Sequence, residues 1–164
     1  MATVTKNAIK HDVIQSGPYG NAWRNVYTFQ TNSSGVMTNS DQTTAVVQTN
    51  VVRIGILPAG LQLLTSLHVI SDAFTASTTA NIGFAYVDGV DDTNVPQDAD
   101  YFGAAVATSS QARLAAANAA VSPVVLPKDA YLILTVGGAD HASAGRLDVI
   151  VEGVWKGLPS AIPA

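Results

Sequence analysis

The chain has 164 residues, enough for one domain with a full core, and no cysteine, which excludes structural disulfides, thiolate metal sites and a cysteine nucleophile. Charged residues make up only 12%, against ~25% in ordinary globular domains, so Thr, Ser, Asn, Gln and Ala must dress the surface. A net charge of −4, a pI near 5.0 and scattered Lys and Arg argue against nucleic acid as a partner, because phosphate binding needs clustered cations.

Residues 1–20 carry no strong pattern and end in Ser16-Gly-Pro-Tyr-Gly20. They read as an extended arm, with no apolar signal core at the start and hence synthesis in the producer's cytosol. Ile9, Val13, Ile14 and Tyr19 are apolar residues that need burial, so an arm that orders on a neighbouring subunit is the alternative to a frayed terminus. Together with Trp23 they are the candidate partner contacts.

The domain proper is expected over residues 21–157, with a tail at 158–164. Ala22–Gln30 is rich in aromatic and β-branched residues and predicts a first strand. Asn32–Gly35 turns it; its Asn-Ser-Ser glycosylation pattern is set aside without a secretion signal. Thr43–Leu57 predicts an extended run with a break near Gln48–Asn50. Leu61–Phe74 predicts the next strand, with Leu61, Leu63, Thr65, Leu67 and Val69 on one face and His68 on the other. Thr78–Val87 follows, with Ile82, Phe84 and Tyr86 sharing a face, and then a polar loop over Asp88–Pro96. Tyr101–Val106 predicts a strand, Ala-rich Gln111–Ala120 a short helix, and Val124–Pro127 a short strand. Ala130–Val136 is apolar on both faces, as a central strand should be. Arg146–Trp155 alternates strictly, with Leu147, Val149 and Val151 inward. About eight strands joined by turns, without crossover helices, predict an all-β antiparallel jelly-roll sandwich. No run approaches the ~20 apolar residues of a membrane span.

Chemistry is sparse. His11, His68 and His141 form no metal-ligand spacing, and GxSxG, GxGxxG and GxxxxGK[ST] do not occur. No catalytic residue, cofactor or enzyme activity is expected. Asp88, Asp91 and Asp92 are the densest acids; a solvated turn is the default reading and a weak calcium site the alternative. Asp98 and Asp100 are a remote acid/base pair for a hydrolase. The aromatics fall mostly on strands, where core packing is the default; facing outward together, they would suit sugars or a protein.

Three segments carry a resemblance. Arg53-Ile-Gly-Ile-Leu-Pro-Ala-Gly60 leads into an apolar strand ending Ile70-Ser-Asp72, followed by Asn81-Ile-Gly-Phe-Ala-Tyr-Val-Asp-Gly89. Ala130–Gly138 and Ala144–Glu152 close the pattern. Over about residues 50–155 the chain resembles the head decoration proteins of tailed bacteriophages. The resemblance is one of strands and turns and transfers no functional residue. It implies a jelly-roll cement protein on the outer surface of the mature capsid, a homotrimer that clamps neighbouring major capsid proteins. The alternative is a carbohydrate- or receptor-binding jelly roll of a phage tail or fibre.

Overall fold

A computed structural model describes residues 1–7, 21–116, 118 and 122–156. Ile9, Val13, Ile14 and Tyr19, and the tail at 158–164, lie outside these. Nine strands are present among the described residues: β1 (Thr3–Thr5), β2 (Ala22–Thr31), β3 (Val51–Leu57), β4 (Leu61–Asp72), β5 (Thr79–Tyr86), β6 (Asp98–Ala107), β7 (Ala112–Ala115), β8 (Ala130–Gly137) and β9 (Gly145–Trp155). They form a five-stranded sheet in the order β1-β3-β8-β5-β6 and a four-stranded sheet in the order β2-β9-β4-β7.

The pairing is nested. β2 pairs β9, β3 pairs β8, β4 pairs β7 and β5 pairs β6, each antiparallel. The chain thus runs as one long antiparallel ribbon, outermost strands first and last. The ribbon is wound so that β4 also pairs β9 and β5 also pairs β8. That winding is the jelly roll, and it explains why no crossover helix is needed.

The two inner faces interdigitate. Trp23, Tyr27, Phe29, Leu61, Leu63, Leu147, Val149 and Val151 from one sheet meet Val52, Ile54, Leu57, Ile82, Phe84, Leu132 and Leu134 from the other, all buried. Full burial of each such side chain stabilises by about 1.5–3 kcal/mol before entropy is counted. Tyr27 crosses between sheets and donates its hydroxyl to the Ile56 carbonyl at 2.6 Å. Gly55 makes room for that ring, since a Cβ there would stand 1.9 Å from Tyr27 Cδ1.

Several sequence expectations change. Ala112–Ala115, read within a helix, forms β7, because the free edge of β4 offers it a ladder that a two-turn Ala-rich helix cannot match. Thr3–Thr5, read as part of the arm, pairs in parallel with β3 and buries Val4. The strand expected from Thr43 begins only at Val51; the preceding segment is irregular, with an isolated bridge from Val36 to Ala45. Val124–Pro127 makes one isolated bridge, Gln62 to Val125, and no strand. In β4 the register shifts between Leu63 and Thr65, so Leu64 is an extra, bulged residue. The bulge reverses the phase: Ser66, His68 and Ile70 point inward, and Leu67 and Val69 outward.

Candidate functional site

The outer face of the four-stranded sheet leaves large apolar side chains in solvent. Alternation along β2 and β9 sends Tyr27, Val149 and Val151 inward, so Val26 and Ile150 point outward. Beyond the Leu64 bulge, Leu67 joins them. The register aligns Val26, Ile150, Leu67 and Ala115 in one row across all four strands. Val26 is 50% exposed and Leu64 45%. Beside this row lies a groove of about 480 Å³ lined by Ala22, Trp23, Arg24, Leu64, Glu152 and Val154, among others.

Ions flank the apolar row on both sides. Arg24 Nε lies 3.3 Å from Glu152 Oε1. On the other side Arg146 grips Asp148 with Nε at 3.0 Å and Nη2 at 3.1 Å, and Thr28 donates to Asp148 at 2.6 Å. Asp148 thereby raises the Arg146 pKa further. An apolar centre with a polar rim is the anatomy of a protein-contact surface.

Of the expected contacts, Trp23 is in the described region, and it is not a surface residue. It is 2% exposed and packs 6.4 Å from Tyr27, centroid to centroid. Its position on the inward phase of β2 decides this. Its indole Nε1 is buried without a hydrogen-bond partner.

The acidic loop is occupied by its own backbone. Asp88 Oδ1 accepts from Val90 N at 3.0 Å, and Asp88 Oδ2 takes Lys128 Nζ at 2.8 Å. Asp91 Oδ1 accepts from the amides of Asp92 and Gln97, and Asp92 Oδ1 from those of Asn94 and Val95. The Lys128 hydrogen bond pulls the Asp88 carboxyl below its ordinary value. These are turn-forming carboxylates, and among the described residues no group of three His, Cys, Asp or Glu could hold a metal ion. Asp98 and Asp100 begin β6; hydrogen bonding to the Asp98 carboxyl raises Asp100.

His68 and His141, both at most 2% exposed, are interior residues. Ser66 Oγ lies 2.8 Å from His68 Nε2. His141 meets Phe29 and Phe74 edge-on at 5.4 and 4.9 Å, and its amide donates to the Val46 carbonyl. In each ring Nδ1 is buried without a partner. Burial lowers both pKa values to about 4; beside His141, Asp140 acts weakly the other way.

No family model matches the chain, and no curated protein matches its sequence. Among solved structures it is similar to a chain in the capsid of Ralstonia phage GP4, with a TM-score of 0.63 and 11% identity, over 96% of this chain and 100% of that one. At that identity the likeness is one of fold: this chain shares the β-sandwich of a phage capsid component nearly end to end.

Proposed function

We propose that the chain is a non-enzymatic structural protein of a phage virion: a decoration or cement protein on the outer surface of the expanded head, bound to the major capsid protein. The observation that carries this reading is the end-to-end match in fold to a chain of a phage capsid. The outward row of exposed Val26 with half-buried Ile150 and Leu67, and exposed Leu64 beside it, supports it, and the contact with the capsid lattice is assigned to that face. Cementing needs a rigid scaffold and a complementary surface repeated by symmetry, and no reaction. Binding only the mature lattice stabilises that lattice by mass action. A trimer at three-fold positions is the assembly this role favours.

The sugar-binding alternative needs solvent-facing rings. Trp23, Tyr27, Phe29, Phe84, Tyr86, Tyr101 and Phe102 are instead buried in the sandwich, and Trp155 is half-buried against its core. The test is the heat resistance of heads assembled with and without the protein. Heads lacking it should release DNA at lower temperature, and adding it back should restore them. Identical melting of the two preparations would contradict the cement role.

A further inference from the structure

The seam between β6 and β7, the free edges of the two sheets, holds a buried imidazole. His68 lies on the inner face of β4, 1% exposed, facing a hollow of about 330 Å³. In register beside it are Leu114 of β7 and Val149 of β9. Gly103, Ala104 and Val106 of β6 approach from the opposite sheet, and Asn118 completes the lining. Gly103 leaves the ring its space: a Cβ there would stand 3.2 Å from His68 Cε1.

None of these neighbours is charged. On β7, Arg113 is in register with Val69 and so belongs to the outer face. On β9, Asp148 also faces outward. On β6, Asp98 and Asp100 lie at the far start of the strand, and the Tyr101 hydroxyl is held by the Leu63 and Ser122 carbonyls. On β4 itself the polar neighbour is Ser66.

A neutral imidazole suits this setting, sharing one hydrogen bond with Ser66. An imidazolium carries two N–H donors, and the one on Nδ1 meets no acceptor. The seam is also the weakest part of the sheet. β7 has four residues, three of them exposed, and pairs β4 over four positions. Opening there brings water to His68 with the least disruption.

We propose that His68 is an acid-sensitive latch: when its imidazole takes a proton, β7 separates from β4 and the mouth between β6 and β7 opens while the rest of the sandwich stays folded. The latch stands on the geometry of this seam and not on any role at a phage head.

Amide hydrogen exchange of the full chain, read by NMR at pH 7.5 and 5.0 and corrected for intrinsic rates, tests it. Protection across the β4–β7 ladder should fall about 30-fold relative to the β2–β9 ladder, as follows from a histidine held at about 4 when closed and 6.5 when open. His68→Leu should abolish that difference between the two pH values. An unchanged ladder ratio in the native chain, or the same loss in the variant, would overturn the proposal. If the variant does not fold, the native ring titration decides. Protonation of His68 below pH 6 together with loss of β7 protection supports the latch; protonation near 6.5 with β7 intact refutes it.

Discussion

The two sheets of this sandwich treat their outer faces differently. On the five-stranded sheet the central outward residue, Ile133 of β8, is only 5% exposed. Its register partner Arg53 lays its guanidinium 4.4 Å over the Tyr131 ring, so the chain's own side chains seal that face. On the four-stranded sheet Val26 and Leu64 stay about half exposed, between ion pairs that flank the apolar row without covering it. The centre of one face is covered by the chain's own side chains, and the other leaves Val26 and Leu64 open to solvent. That asymmetry, more than any single residue, is the basis for assigning the proposed contact to the four-stranded sheet.

The largest effect expected is one that touches neither face. Burial holds His68 and His141 at about 4, below an ordinary 6.5. Unfolding lets both take protons in that window, so their contribution is complete above pH 6.5 and is lost as the pH falls toward 4. The loss is of order 3 kcal/mol per histidine, read as a falling urea midpoint, and a midpoint flat from pH 7 to 4.5 would refute it. If the outer faces carried the acid sensitivity instead, replacing the two histidines would leave it in place.

Next in size is the contrast between the faces themselves. Ile133→Ala should cost about 2–4 kcal/mol in urea unfolding, as for a buried aliphatic. Val26→Ala, on the open face, should cost less than ~1 kcal/mol. Equal costs at the two positions would erase the distinction. Smallest is the rim: Arg24→Ala should change stability by about 0.5 kcal/mol or less, because its pair with Glu152 is solvent-exposed and screened by salt.

Much of the architecture was legible in the sequence because alternation is local. β5 and β9 follow from period 2, β2 from its aromatic and β-branched residues, and the both-face apolarity of Ala130–Val136 marks β8 as the centre of its sheet. The readings that failed depend on distant partners. Ala112–Ala115 has helical composition, and only the edge of β4 makes it a strand. The phase of β4 turned on a bulge at Leu64, which is set by its ladder with β9. That single extra residue moved His68 inside and Leu67 outside, so both the latch and the apolar row were hidden from a simple alternation count. The chemistry of Trp23 suits a contact, but its parity on β2 assigns it to the core. The arm residues Ile9, Val13, Ile14 and Tyr19 lie outside the described region.

The most direct measurement of the central claim is co-sedimentation of the purified chain with expanded heads, lacking it, of the phage that encodes it. Saturable binding to expanded but not to unexpanded heads is expected. Leu64→Asp should weaken it at least about tenfold, or ~1.4 kcal/mol, while leaving the urea midpoint unchanged. No binding to expanded heads would contradict the cement role, and full binding by the folded Leu64→Asp variant would contradict the assignment of the contact to this face.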